Sequence, residues 1–299
     1  MPNSDEWFMP YALASKIEDL ALAMLRDSTN RYPALLKGLA RVFTYIRTLN
    51  EDQALEVIDT LEHQDREIVK PLAGFIIFMA EFRHERFNDW PKDRGELGPY
   101  DPQKVKEKLK DLLFNGEKGI RFALASKLTS LPNEATDEHD AKRLLQLSFI
   151  HLTLLTMRYD HEVFACIYSF ITQYIDTDYD EAYRLWRASL TVERPAIFAQ
   201  AKSNGHAQAS YGWWPYAYNG SILLKVAEHD FVKFLEGLEF LLDYPEDVMI
   251  ATDLHSVVDC LAKAVTNKGG VDKVFKKLLK RNANFYYQYE AWQRLNGIS

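Results

Sequence analysis

Along most of this chain the apolar residues recur every three or four positions, the spacing of one buried helical face. Leu35, Leu36, Leu39, Val42, Phe43 and Ile46 form one such stripe, and Val163, Phe164, Ile167, Phe170, Ile171 and Tyr174 form another. Ile250, Leu254, Val257, Val258 and Leu261 form a third. No run alternates between apolar and polar residues within turn boundaries, and no Asn-Gly or Asp-Gly hairpin signal occurs. Helix ends are marked at Ser28-Thr-Asn, Leu131-Pro-Asn-Glu, Asp176-Thr-Asp and Asn267-Lys-Gly-Gly. The pattern predicts an all-α fold.

The stripes also repeat. A shift of 128 residues lays Leu35–Ile58 on Val163–Trp186 without a gap, pairing Leu36 with Phe164, Leu39 with Ile167, and Phe43 with Ile171. Beyond the turn it pairs Asp52 with Asp180, Ala54 with Ala182, and Ile58 with Trp186. A further shift of 87 carries Val163, Ile167, Phe170 and Ile171 onto Ile250, Leu254, Val257 and Val258, followed by a turn about two residues longer. Both shifts are multiples of about 43, inside the range of about 40–47 residues typical of HEAT and armadillo units. Further units are expected near residues 75, 118 and 205.

On this periodicity, rather than on an invariant motif, residues 31–280 resemble the HEAT/armadillo-like helical-repeat class. The resemblance implies a right-handed stack of antiparallel helix pairs, an α-solenoid, with residues 1–299 as a single domain. Residues 1–30 would supply an N-terminal capping helix (Ala12 to Asp27) and residues 281–299 a C-terminal capping segment. An irregular all-α bundle is the alternative. Such a stack presents a long curved surface, so the class implies a protein-binding scaffold or adaptor without catalytic activity.

Charge refines that expectation. Lys+Arg 36 against Asp+Glu 43 gives a net charge of -7, which disfavours a whole-surface nucleic-acid binder. From residue 261 onward, eight Lys or Arg face two acids, giving +6 and leaving -13 for residues 1–260. An acidic, immunity-type protein that neutralises a basic toxin is therefore the second reading. Nucleic acid would have to use the C-terminal basic stretch: Lys273, Lys276, Lys277, Lys280 and Arg281. The longest apolar run, Leu72 to Ala80, falls well short of the about 20 residues that span a bilayer. The first residues lack the basic and apolar regions of a signal peptide. The chain reads as cytoplasmic, with no membrane contact.

Candidate chemistry is sparse. Glu81 and His84 form a Glu-x-x-His pair, the spacing used in di-metal helical bundles, but one copy is too few. This pair would anchor the metal-dependent enzyme reading. His139-Asp140 and His229-Asp230 fall at predicted helix starts, where capping already accounts for an acid. His255 and Asp259 could share a helix face. No phosphate-binding loop, dinucleotide fingerprint, zincin motif or nucleophile elbow occurs. Cys166 and Cys260 lie in apolar helical stretches and read as small core residues. No catalytic residue, metal or cofactor is expected. The aromatic run Tyr211, Trp213, Trp214, Tyr216 and Tyr218 is the candidate partner-binding surface, since Trp and Tyr dominate interface hot spots. Pro215 predicts a helix start or kink there. Residues 85–102, rich in Pro, Gly and charge, read as an inserted recognition loop.

Overall fold

The structure, a computed structural model, describes residues 11–27, 29, 32–45, 48–83, 100–203, 214–243, 255–281 and 283–298. Among these the regular elements are all helical, so the fold is all-α. The chain divides into two compact units, Met1–Leu155 and Thr156–Ser299.

The first unit contains α1 (Tyr11–Arg26), α2 (Pro33–Tyr45), α3 (Glu51–Leu61), α4 (Arg66–Ile77), α5 (Gln103–Asn115), α6 (Lys118–Ser130) and α7 (Glu138–Leu155). Alternate helices pack on each other: α1 on α3, α3 on α5 and α5 on α7 in one row, α2 on α4 and α4 on α6 in the other. From Leu72 to Ile77 helix α4 is apolar and buried all round, as a helix segment enclosed by neighbours must be. Val69, Leu72, Ala73, Phe75 and Ile76 are fully buried in this helix, the larger ones each contributing about 1.5–3 kcal/mol of burial. Past Ile77 this helix continues as a π turn over Phe78–Phe82.

The rows are held at their rims by ion pairs between alternate helices. Arg26 reaches Glu56 at 2.7 Å, Lys108 reaches both Asp59 and Glu62 at 2.8 Å, and Lys37 reaches Glu67 at 2.6 Å. These are mostly exposed pairs, each contributing at most about 1 kcal/mol.

The second unit contains α8 (His161–Tyr174), α9 (Tyr179–Ser203), α10 (Trp214–His229), α11 (Phe231–Leu242), α12 (His255–Ala262), α13 (Lys268–Arg281) and α14 (Tyr286–Leu295). Here α8 packs on α10, α10 on α12, and α12 on α14, while α11 packs on α13. Helix α9 meets α11 where Arg187 and Arg194 lie 4.2 and 4.8 Å from the Phe240 ring centre. Gly237 lets α11 approach Trp186, because a Cβ there would fall 2.7 Å from the indole.

Helix starts follow the first repeat shift. Pro33 and His161 open helices 128 positions apart, and so do Glu51 and Tyr179. The even period is not followed throughout. Lys118 does begin a helix, but residue 75 lies inside α4, whose start at Arg66 follows a turn of only four residues. The expected start near 205 lies outside the described residues.

Candidate functional site

Two ionisable groups of the first unit, Glu81 and Arg83, lie in or next to the π turn. A π turn inserts an extra residue and so rotates the next stretch of helix, a device common at functional sites. Glu81 lies in this turn and Arg83 directly follows it, and the two have different partners. Glu81 accepts a hydrogen bond from His151 Nε2 of α7 at 3.2 Å and pairs with Lys106 of α5 at 3.6 Å. Burial would raise its carboxyl, but His151 and Lys106 outweigh burial and hold it below the usual carboxylate range. His151 is buried, and its Nδ1 has no partner among the described residues.

Arg83 is also buried and donates to the Thr48 carbonyl at 3.2 Å. Its guanidinium lies 3.9 Å from the Tyr100 ring centre, and the Tyr100 hydroxyl donates to the Met79 carbonyl of the π turn at 2.6 Å. Glu18 of α1, only 1 % exposed, accepts from the Thr48 N–H at 3.0 Å and from the Thr48 hydroxyl. Burial pushes its carboxyl up to about 8, against the lowering effects of Thr48 and Arg83. In α6 of the same unit, the buried Arg121 donates to the carbonyls of Leu113 (3.0 Å) and Leu155 (2.8 Å). It thereby caps the electronegative ends of α5 and α7.

The second unit has a smaller polar interior. Glu193 is buried against the Tyr168 hydroxyl, which donates to it, and burial pushes the carboxyl up to about 7. Trp186 Nε1 donates to Asn219 Oδ1 at 2.7 Å. At the α8–α9 turn Asp176 pairs with Lys225 and with His229 at 3.1 Å. The His229 ring stacks on Tyr179 at 4.8 Å, and the Tyr179 hydroxyl oxygen is buried without a partner among the described residues.

Most residues singled out from sequence find structural roles. Glu81 is engaged by His151 and Lys106, while His84 lies outside the described residues. Among the described residues no group of three or more His, Cys, Asp or Glu could hold a metal. Asp230 caps α11 by accepting from Val232 and Lys233 N–H, and His229 turns away to Asp176. Asp140 accepts from the Thr136 N–H beside His139 in the first turn of α7. His255 packs edge-on against Phe285 at 5.7 Å, one turn before Asp259 on the same helix. Both cysteines are half-buried thiols.

Of the aromatic run, Tyr211 and Trp213 lie outside the described residues, and residues 85–99 of the charged loop do too. Trp214, Tyr216 and Tyr218 lie in the backbone of α10, which begins at Trp214 as Pro215 suggests; their side chains are outside the description. In the basic stretch, Lys273 and Lys277 share Glu239 of α11 at 2.6 and 2.7 Å, and Lys276 pairs with Asp272 at 2.6 Å. Lys280 is exposed on α13, and the side chain of Arg281 is outside the description.

Sequence reasoning passed over Glu18, Arg121, His151 and Glu193. The signal was present for Glu18, which interrupts the buried stripe Ala14, Ala21, Leu22 and Leu25. Arg121 likewise shares the stripe of Leu124, Ala125 and Leu128.

No protein-family model matches the chain, no curated protein matches it, and no solved structure matches it.

Proposed function

We propose that this chain is a non-enzymatic, protein-binding scaffold built from HEAT/armadillo-like stacked helix pairs. The observation that carries the reading is the packing of alternate helices in rows, α1–α3–α5–α7 beside α2–α4–α6 and α8–α10–α12–α14 beside α11–α13. In a stack of this kind each pair buries its apolar face on the next and leaves a continuous helical surface for a partner. Matched contacts support the internal repetition. Asp52 pairs with Lys104 at the start of α5 at 3.2 Å, and its repeat counterpart Asp180 pairs with Lys233 at the start of α11 at 3.3 Å. The buried ionisable groups fit this reading as internal fastenings, since Glu18, Arg83 and Arg121 all end on backbone groups.

The test is affinity purification of the intact chain from its source cells after brief cross-linking. The expected result is one stoichiometric protein whose cross-links fall on exposed lysines such as Lys110 and Lys280. Recovery of a stoichiometric metal or small cofactor with no protein would contradict the scaffold reading and favour an enzyme.

A further inference from the structure

The exposed side of α2 and α4 carries a strip of cations placed by contacts between the two helices. Lys37 of α2 donates to Glu67 of α4 at 2.6 Å. Arg41 follows Lys37 by one turn of α2, and Lys70 follows Glu67 by one turn of α4, so this contact brings all four to one side. The Glu67 carboxyl responds to the whole set. Lys37 above all, with Lys70 and Arg41 adding to it through space, holds it below the usual carboxylate range. Arg66, next to Glu67, lies over the Phe122 ring of α6, 3.8 Å from its centre. Arg41, Arg66, Glu67 and Lys70 are all exposed. The strip therefore runs along the side of the row, across α2, α4 and α6, rather than over its end.

One carboxylate does not balance this set. Lys37 takes Glu67, and among the described residues Arg41 and Lys70 form no ion pair. Tyr45 stands one turn past Arg41 on α2, 85 % exposed. Tyr and Arg are the residue types enriched at binding hot spots. Charge decides the occupant. The strip lies within residues 1–260, which carry -13, so a long polyanion such as nucleic acid meets repulsion beyond the strip. A short acidic segment meets the cations alone. A second copy docking by the same side would set cations on cations.

We propose that the exposed side of α2 and α4 is a docking surface for a short acidic segment of a protein partner. Its carboxylates would meet Arg41, Arg66 and Lys70, with Tyr45 as the neighbouring aromatic contact. This rests on the protein-binding reading above and adds the place and the chemistry. The probes are labelled peptides about twelve residues long, enough to cross the row when extended, with serine alternating with either glutamate or lysine. A single-stranded DNA of similar charge is the third probe. Binding to the intact chain is read by fluorescence anisotropy. The glutamate peptide is expected to bind about tenfold or more tightly than the other two probes and to weaken as salt rises. Arg41→Glu with Lys70→Glu is expected to weaken it by about tenfold. Glu67→Gln is expected to tighten it about threefold, because it removes the strip's own carboxylate. Lys142→Glu with Lys263→Glu makes the same change of net charge at exposed sites on α7 and just after α12. That variant is expected to bind as the unaltered chain does, and thermal melts check that every variant folds.

Equal binding of the two peptides overturns the proposal. So does equal weakening by the two double variants, since the attraction would then belong to no particular place. DNA bound more tightly than the glutamate peptide, through Arg41 and Lys70, overturns it in favour of nucleic acid. A purified protein partner that binds the Arg41→Glu, Lys70→Glu chain undiminished overturns it and leaves the protein-binding reading standing with its surface elsewhere.

Discussion

Glu18 and Glu193 occupy positions where their helices bury apolar neighbours, and this couples folding to protons. Their carboxyls are pushed up to about 8 and about 7 in the folded chain, while unfolded glutamate releases its proton near about 4.3. Between those values the folded state holds protons that the unfolded state has lost. Their stabilising contribution is complete below the unfolded value and is lost as pH rises through the folded ones. Urea titrations are expected to show stability falling from about pH 5 to about pH 8, a slope that Glu18→Gln with Glu193→Gln flattens. A stability that rises over that window would contradict this assignment. Arg121→Leu should lower stability by about 3 kcal/mol, because it strands the helix-end carbonyls of Leu113 and Leu155 in the interior. Tyr179→Phe should be neutral or stabilise by about 1 kcal/mol in thermal melts, since it removes a buried hydroxyl oxygen without a partner among the described residues and keeps the stack on His229.

Elements were the most legible level. Asn50 closes a capping box with Gln53, and Asp160 and Asp230 cap α8 and α11, all visible as polar residues before apolar periodicity. Asn50→Ala should cost about 1 kcal/mol, read as a shift of the urea midpoint. The internal shift of 128 was legible because Leu36, Leu39, Phe43, Ala54, Val57 and Ile58 and all six counterparts are core residues. The π turn was not legible, since Phe78–Phe82 has the composition of any buried helix and the extra residue is set by neighbours. Long-range pairings such as Glu81 with His151, 70 positions apart, leave no local trace. Gly237 was equally silent; its role depends on Trp186 arriving from α9. Gly237→Ala is expected to cost about 1–3 kcal/mol by overpacking, and unchanged melting would show that the indole yields.

At the scale of the molecule, each unit encloses its own core, so separately expressed residues 1–155 and 156–299 are each expected to give helical circular dichroism and a cooperative melt. The lengths of the turns between described helices, such as the four residues between α3 and α4, are not encoded in the apolar stripes. Charge patterning separates an acidic body, residues 1–260, from a basic end. There Asp272, and Glu239 from α11, pair with the lysines of α13. The scaffold reading is tested most directly by native mass spectrometry of the chain purified gently from its source cells. The scaffold reading predicts the mass of the chain plus one protein partner. A chain carrying a stoichiometric metal or small molecule, with no protein bound, would contradict it.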